Sequence, residues 1–346
     1  MSLYVYTIND SIEWDKCVKS FHSYDTYWLS GYVKGFLHHG DGEPLLFYYE
    51  DSDTRGINVV MKRDIAKDSH FRNKLECDFL YDISSPYGYG GWLIEGKVQN
   101  ALFNTYSEWC KKNSIVCEFV RFHPVMKNHI NCVGKYDIDE LGRVVTMDIS
   151  SPETIWNNLT SKNRNIIRKA KKNNVKIYHG QNPQLYSKFK SIYDKTMDKD
   201  RADKYYYFND KFYQSILDDL PYNAQIFYAV YEEEVIAASI MLMANGKINY
   251  HLSGSVKEYS SLAPTNLLLY HTALWGCENG YQTLYLGGGV GSNEDSLFKF
   301  KKAFYRKDDL NKFYIGSKIF MQDEYRNLVD MRGNVGYEKF FPLYRA

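Results

Sequence analysis

Apolar runs separated by polar turns fill the first part of the chain and predict a mixed α and β domain. Residues 45–49 and 56–61 are two such runs, and the polar stretch 50–53 between them predicts a β-hairpin. Apolar residues recur at helical spacing over 98–111, which predicts a helix. An alternating pattern over 116–122 then predicts a strand.

A helix start marks the predicted boundary between two domains. Ser150 is placed to cap the helix, Glu153 to close a capping box, and Pro152 to occupy the first turn, where its missing N–H costs little. We therefore predict an N-terminal domain over 1–149 and a second domain over 150–318.

The sequence of the second domain predicts an antiparallel meander followed by one parallel β-α-β unit. Asn245-Gly246 lies between two apolar runs, and this dipeptide is the strongest short hairpin signal. A helix over 264–279 is ended by Gly280 and followed by a strand over 283–286. The meander strands are predicted at 225–231, 235–243 and 247–253.

Composition narrows the classes of protein that fit this pattern. At 346 residues the chain fits two domains, and its net charge of +1 gives no global attraction to DNA or to a membrane. The six cysteines show no metal-ligand spacing, so we expect neither a metal nor disulfides. No leader pattern or membrane-spanning run is visible, which favours a cytoplasmic protein without membrane insertion.

A glycine turn followed by a lysine between aromatics carries the clearest chemical signal. Gly287-Gly288-Gly289 allows close approach to a ligand, and Lys301 follows in Phe298-Lys299-Phe300-Lys301-Lys302. A lysine fixed beside such a turn can stabilise oxygen charge in an acyl-transfer transition state. The alternative is that Lys301 is a surface residue in a basic run.

A basic helix is predicted over 162–172. Arg164, Arg168 and Lys172 are each four residues apart and so share one face. Like charges on one face favour an anionic partner, and the alternative is a solvated basic surface.

A glycine-rich loop in the first domain is bordered by polar residues that can act on a substrate. Asp82 precedes the loop 84–91 and is either a base for the amine proton or a cap for the loop's backbone N–H groups. Arg121 and His123, expected to be exposed at a strand end, either bind a phosphate or sugar or pair across strands.

The order of these elements resembles the GNAT acyltransferase fold, in which two parallel strands splay apart and admit the acyl donor. Motifs along most of the chain resemble the FemAB family. In the second domain they are Trp156, Arg164-x-x-x-Arg168-Lys169-Ala170, Val175, Pro264-x-Asn266-x-x-Leu269 and Phe300-Lys301-x-x-Phe304. Elsewhere they are Asp82 to Gly91, Glu118-Phe119-Val120-Arg121-Phe122-His123-Pro124 and Phe340-Phe341-Pro342-Leu343-Tyr344-Arg345.

The resemblance implies an α+β protein of two GNAT-like domains, with residues 319–346 packing back on the first. It implies a FemAB-like N-acyltransferase that forms an amide on an amine of a cell-envelope precursor, a lipid- or nucleotide-linked amino sugar or peptide. Lys301 and Asp82 are the predicted catalytic residues. The predicted substrate-binding residues are Tyr87, Tyr89, Arg121, His123, Tyr250, Ser253, Asn266 and Gly288.

The donor is left open between aminoacyl-tRNA and acyl-CoA, neither of them a tightly bound cofactor. The connection 254–263 lacks the glycine pattern with which CoA-dependent GNAT enzymes receive pyrophosphate, and this lack fits a tRNA donor. The predicted donor phosphate-binding residues are Arg164, Arg168, Lys172 and Lys257. Two alternatives to the leading function are an acetyl-CoA-dependent N-acetyltransferase of an amino sugar and a non-catalytic module that binds glycan or protein.

Overall fold

The computed structural model describes residues 2–333 and 340–346, and the chain forms two compact units. The N-terminal unit comprises Met1–Leu141 together with Phe313–Ala346, and the central unit comprises Gly142–Lys312. Residues 334–339 of the predicted tail lie outside the described residues.

Strands and helices are numbered here in chain order. The strands are β1 (Ser2–Thr7), β2 (Glu43–Glu50), β3 (Thr54–Asp64), β4 (Tyr81–Ser84), β5 (Leu93–Gly96), β6 (Ile115–Arg121), β7 (Asp137–Asp148), β8 (Lys176–Gly180), β9 (Ala224–Tyr231), β10 (Glu234–Ala244), β11 (Lys247–Ser255), β12 (Thr283–Gly287) and β13 (Asn311–Ile319). The helices are α1 (Ser11–Lys19), α2 (Ser30–His39), α3 (Asn100–Lys112), α4 (Pro152–Asn158), α5 (Ser161–Lys172), α6 (Pro183–Asp200), α7 (Asp210–Asp219), α8 (Pro264–Glu278), α9 (Ser296–Lys302) and α10 (Gln322–Arg332).

The sheet of the N-terminal unit has the strand order β1-β2-β3-β4-β6-β13, with β5 paired to β3. The predicted hairpin is confirmed, because β2 and β3 pair antiparallel with Leu45 opposite Val60. Strand β4 runs parallel to β6, and α3 lies between them in the chain. Large buried side chains such as Trp92, Phe103 and Tyr106 fill the core between α3 and the sheet.

The sheet of the central unit has the strand order β7-β12-β11-β10-β9-β8. The predicted meander is confirmed, since β9, β10 and β11 pair antiparallel in succession. Asn245 and Gly246, the predicted turn, both have positive φ, as a two-residue hairpin of this type requires. Helices α4, α5 and α8 contribute Ile155, Ile167 and Leu268 to the core beneath this sheet.

Strands β11 and β12 are parallel only at their beginnings, and this positions the site. Lys247–Asn249 pairs with Thr283–Tyr285. Beyond these residues β11 pairs with β10 alone, and Gly287 of β12 pairs with β7. A bulge at His251 bends β11 just after the residues that pair with β12. The end of β12 therefore leads into the glycine turn without a partner on its β11 side.

One local prediction is corrected at the start of α4. The capping residue is Ser151, whose Oγ accepts a 3.1 Å hydrogen bond from the backbone N–H of Thr154. Ser150 precedes the cap, and Glu153 is the second residue of the helix, one position too early to close a capping box. The reason is that Pro152 takes the first helical position, which fixes the cap one residue before it.

Candidate functional site

Lys301 is buried in the central unit at the glycine turn. Its side chain lies on α9 and is 8% exposed, and its Nζ donates a 2.6 Å hydrogen bond to the carbonyl oxygen of Gly288. Burial lowers the pKa of Lys301 to about 8, and the charge of Asp295 partly opposes this shift. Lys299, by contrast, is exposed. The surface alternative for Lys301 is therefore excluded, and the side chain carries a proton at neutral pH.

Asp295 connects the glycine turn to the helix that carries Lys301. It is the N-cap of α9: its Oδ1 accepts a 2.8 Å hydrogen bond from Phe298 N–H, and its Oδ2 accepts one of 3.1 Å from Val290 N–H. A Cβ at Gly289 would come within 2.3 Å of the Asp295 carboxylate and 2.0 Å of the Asn293 carbonyl oxygen. Glycine at position 289 is thus required by close packing rather than by its φ angle.

Three hydroxyl groups meet where β11 separates from β12. The Oγ atoms of Ser239 and Ser253 are hydrogen-bonded at 2.8 Å, and the Tyr250 hydroxyl lies near enough to both serines to interact with them. Burial raises the pKa of Tyr250. Desolvation of the His251 ring, at the bulge beside Tyr250, lowers its pKa to about 3. The sequence-predicted Tyr250 and Ser253 therefore lie together in one polar cluster, and His251 is neutral there.

Asn266 is held by a buried amide. Its Nδ2 donates a 2.8 Å hydrogen bond to Oδ1 of Asn163, which is 1% exposed, and Asn163 in turn donates to the Ala303 carbonyl at 3.3 Å. The Thr160 N–H donates to the same carbonyl at 3.0 Å. These contacts join the beginnings of α5 and α8 to the end of α9. The Asn266 amide thus positions secondary structure, and its predicted role in substrate binding stays a prediction.

The predicted donor-binding cations on α5 differ in their exposure to solvent and in their contacts. Arg164 is half-buried and donates to the Leu159 carbonyl and to Ser161 Oγ. Arg168 is exposed and lies 5.0 Å from the centre of the Trp156 ring. Lys172 is exposed. Helix α5 contains no acidic residue. Among the described residues, none of its cations forms an ion pair with a carboxylate.

The connection from β11 to α8 contains no glycine turn. Residues Lys257–Leu262 form a short 3₁₀ helix, and Ala263 has a φ of 52° at the N-cap of α8. Lys257, the fourth predicted phosphate contact, lies in that 3₁₀ helix and is exposed. It is therefore on a different element from the α5 cations.

The glycine-rich loop of the N-terminal unit is fixed by side chains that bind its carbonyl oxygens. Tyr32 donates to the Tyr87 carbonyl, Arg121 Nε donates to Gly88 at 3.0 Å, and Asn128 Nδ2 donates to Gly90 at 2.9 Å. The guanidinium carbon of Arg121 also lies 4.8 Å from the centre of the Phe313 ring. Tyr87 is half-buried on this preformed loop.

The predicted exposure of His123 is corrected, and the predicted role of Tyr89 in substrate binding stays a prediction. His123 is fully buried rather than exposed at a strand end, and its Nε2 lies 3.0 Å from Oδ2 of Asp25, which is also fully buried. Its Nδ1 accepts the Met126 N–H at 3.2 Å, so Nε2 carries the proton. Tyr89 is only 9% exposed and packs edge-on against Tyr27. Strand β6 ends at Arg121, so His123 follows the strand and turns into the core.

Asp82 is corrected from a candidate base to a buried structural anion. Its Oδ1 accepts a 2.7 Å hydrogen bond from Arg63 Nε, and its Oδ2 accepts bonds from the Tyr344 hydroxyl at 2.9 Å and from Arg345 Nε at 2.5 Å. Burial alone would raise the pKa of Asp82, but Arg63 and Arg345 outweigh it and hold the pKa below its ordinary value. Both oxygens are occupied by side chains rather than by loop N–H groups, and neither faces solvent.

The described part of the chain contains neither a cluster of metal ligands nor a membrane-spanning helix. No group of three His, Cys, Asp or Glu side chains is close enough there to hold a metal ion. Helices in that part fall short of the length and apolar character needed to cross a bilayer.

Comparison with known proteins defines the class to which this site belongs. Residues 161–302, which begin with α5 and end just after Lys301, match the family model of the acetyltransferase (GNAT) domain. No curated protein sequence matches the chain. Most of the central unit is thus similar to the acetyltransferase (GNAT) domain.

Solved structures extend this likeness to almost the whole chain. FemX has a TM-score of 0.68 at 14% identity, over 94% of this chain and 99% of that one. A conserved protein of unknown function from Bacteroides thetaiotaomicron has a TM-score of 0.60 at 11% identity, over 92% and 99% of the two chains. The C-terminal domain of a putative lysylphosphatidylglycerol synthetase from Agrobacterium fabrum has a TM-score of 0.56 at 10% identity, over 90% and 92%. The chain therefore has the FemX fold, which confirms the predicted FemAB-related arrangement of two GNAT-like domains.

Sequence reasoning missed two residues of the Lys301 environment. Asp295 had a readable signal, since aspartate is a preferred residue directly before the start of a helix. Asn163 had none, because its role depends on contacts with residues more than a hundred positions away in the chain. Such long-range hydrogen bonds leave no local pattern.

Proposed function

We propose that the protein is an N-acyltransferase that transfers an aminoacyl or acyl group directly to an amine of a cell-envelope precursor. The observation that carries this proposal is the buried Lys301, whose Nζ lies at the glycine turn after β12, beside the point where β11 and β12 stop pairing. In the GNAT fold the acyl donor enters between two such splayed strands. A charged donor of hydrogen bonds at this place is suited to a developing oxyanion.

The chemistry requires an amine that has lost its proton and a donor carbonyl aligned with it. The amine nitrogen attacks the carbonyl carbon, and its oxygen becomes negative while the Lys301 ammonium stabilises it. When the intermediate collapses, the bond from carbon to the donor's oxygen or sulfur breaks and the amide remains. The proton given up by the amine goes to the leaving group or to solvent, so no covalent enzyme intermediate is needed.

For the donor we propose aminoacyl-tRNA as the leading alternative. The support is the acid-free helix α5 and the absence of a glycine turn between β11 and α8. Arg168 and Lys172 are exposed on that helix and can contact phosphates, and Lys257 adds a cation on a second element. The acceptor class is supported by the FemAB resemblance and by the likeness to the domain of a putative lysylphosphatidylglycerol synthetase, which is named after a lipid.

Each unit carries its own candidate contacts for an acceptor. On the preformed loop of the N-terminal unit, Tyr87 offers an aromatic face and Arg121 a guanidinium group, which suit a sugar and a phosphate. In the central unit the hydroxyls of Tyr250 and Ser253 can orient polar groups. His123 and Tyr89 are not proposed as direct contacts of the acceptor, because both side chains are buried.

A second candidate function is an acetyl-CoA-dependent N-acetyltransferase of an amino sugar. The specific observation in its favour is that the matched domain model is an acetyltransferase domain. A third, a non-catalytic binding module, predicts no product at all and is distinguished by the same experiment.

The deciding experiment incubates the purified protein with candidate amine acceptors and either charged tRNA or acetyl-CoA. Mass spectrometry then looks for the mass of the new amide. Product with charged tRNA alone supports the leading proposal, and product with acetyl-CoA alone supports the second candidate. Lys301→Met should reduce turnover by about a hundredfold or more. The exposed Lys299→Met is the matched control and should keep wild-type turnover. Unchanged turnover in Lys301→Met would overturn the assignment of that lysine.

A further inference from the structure

We propose that Asp295 is a positioning residue that keeps the Lys301 ammonium charged and aimed at the acyl-transfer site. The inference rests on the proposed function of Lys301 and concerns the residue that controls it. Asp295 lies six positions before Lys301, at the start of the same helix.

Geometry is the first argument. One carboxylate oxygen of Asp295 caps the helix that carries Lys301, through Phe298 N–H. The other oxygen binds the N–H of Val290, in the same turn as Gly288, whose carbonyl accepts the Lys301 hydrogen bond. A single side chain therefore fixes both the donor and the acceptor of the Lys301 contact. Displacement of Asp295 would loosen both ends at once.

Charge is the second argument. Asp295 is the carboxylate whose field raises the proton affinity of Lys301 against the effect of burial. On α9 itself, Lys299 is exposed, and the Lys302 ammonium is held by the carbonyls of Tyr305 and Lys307. Removing the Asp295 charge leaves the desolvation of Lys301 unopposed.

The other charged and titratable groups around the turn include Arg143, Glu294, Tyr285 and Asp308. Arg143 of β7 pairs with Glu294 at 2.6 Å, and both side chains are partly exposed. The Tyr285 hydroxyl of β12 and the Lys301 ammonium lie 4.0 Å and 3.3 Å from the point that a Gly287 Cβ would occupy. Asp308 contacts Lys302 rather than Lys301. Among these groups Asp295 is thus the carboxylate whose charge acts on Lys301.

The substitution that tests the idea is Asp295→Asn. Asparagine is as good an N-cap as aspartate, so the helix start is preserved while the charge and the second acceptor, that of the Val290 N–H, are removed. We expect the high-pH limb of the kcat profile to move to lower pH by about one unit. The ¹³Cε resonance of Lys301 in lysine-labelled protein should titrate with the same shift, a readout that needs no substrate. A merely structural role would lower activity equally at every pH.

The matched control is Glu294→Gln. This variant removes one negative charge from the position before Asp295, where the carboxylate pairs with Arg143. The pH profile and the Lys301 titration should both stay as they are in the wild type. In a Lys301→Met background, Asp295→Asn should have no further effect on the pH profile. Thermal unfolding of each variant checks that it is folded.

The possible failures are distinguishable. If Lys301→Met keeps full turnover, the proposed function of Lys301 fails, although the NMR titration still reports whether Asp295 controls its proton. If Lys301 is essential but its titration is the same in Asp295→Asn as in the wild type, the role of Asp295 is overturned. A shift of equal size in Glu294→Gln would also overturn it, since the effect would then come from the general field of the surface.

Discussion

The Nζ atom of Lys301 donates a 2.6 Å hydrogen bond to the carbonyl oxygen of Gly288, two residues beyond the last apolar residue of β12. The bond brings an ammonium group from α9 to the turn that follows the strand. It explains why a short glycine turn and a lysine more than ten residues later form one unit in this sequence. It also makes Lys301 a buried charge, which is costly to fold.

Lys301 should make the stability of the protein depend on alkaline pH. The lysine pKa is 10.5 in the unfolded chain and about 8 in the folded state. Between these values the unfolded chain binds more protons, so the free energy of unfolding rises with pH relative to a variant that lacks the group. Relative to Lys301→Met, the wild type should gain about 3 kcal/mol between pH 7 and pH 11.

Urea denaturation of both proteins at several pH values measures this difference. Both carry the same 32 tyrosines, so their titration cancels in the comparison. The same difference at every pH would show that Lys301 is not a buried cation.

Gly289 should tolerate no side chain. A Cβ there would lie 2.0 Å from the Asn293 carbonyl oxygen, a backbone atom that has to move to make room. We expect Gly289→Ala to cost about 2 kcal/mol of stability and to lower kcat, because the turn that holds Lys301 shifts. Gly180→Ala is the control, since a Cβ at Gly180 meets only Leu185 at 3.6 Å. Equal stability and kcat in both variants would contradict the packing argument.

The sequence was sufficient to predict those elements whose signals lie within a few neighbouring residues. Asn245-Gly246 fixed a hairpin, and the glycine at 280 ended the helix before β12, because turn chemistry acts over a few residues. The lysine of Phe300-Lys301-x-x-Phe304 was identified by its motif.

What the sequence did not provide is the partner of each polar side chain. His123 sits two residues after Arg121 and was expected on the same exposed face, but the strand ends at Arg121 and the chain turns inward to Asp25. Asp82 was expected to serve the adjacent loop, but it binds Arg345, which is 263 residues away. Burial and long-range pairing depend on the packed tertiary structure, so a local pattern cannot reveal them.

The Asp82–Arg345 contact should be one of the larger contributions to stability in the N-terminal unit. Arg345→Met removes one partner of a buried carboxylate and leaves its charge less compensated, which we expect to cost about 3 kcal/mol. Because the folded pKa of Asp82 is depressed, its contribution is complete above the unfolded pKa and is lost as pH falls through the folded pKa.

Acid denaturation of wild type and Arg345→Met therefore measures how the contribution of the Asp82–Arg345 contact to stability depends on pH. The two stability curves should converge as the pH is lowered. Arg326→Met is the control, because its partner Asp323 is 87% exposed and the pair should contribute little. A loss in Arg326→Met as large as that in Arg345→Met would contradict the assignment.

The acid-free face of α5 should bind an RNA donor through phosphate contacts. Each phosphate that a lysine or arginine neutralises releases counterions, so affinity falls with salt in proportion to the number of contacts. We expect Arg168→Ala with Lys172→Ala to weaken the binding of charged tRNA and to lower the slope of log affinity against log salt by about 2. The exposed Lys211→Ala on α7 is the control and should leave the slope unchanged. If the double variant binds tRNA with the wild-type slope while amide formation continues, α5 is a solvated basic surface and the phosphates of the donor lie elsewhere.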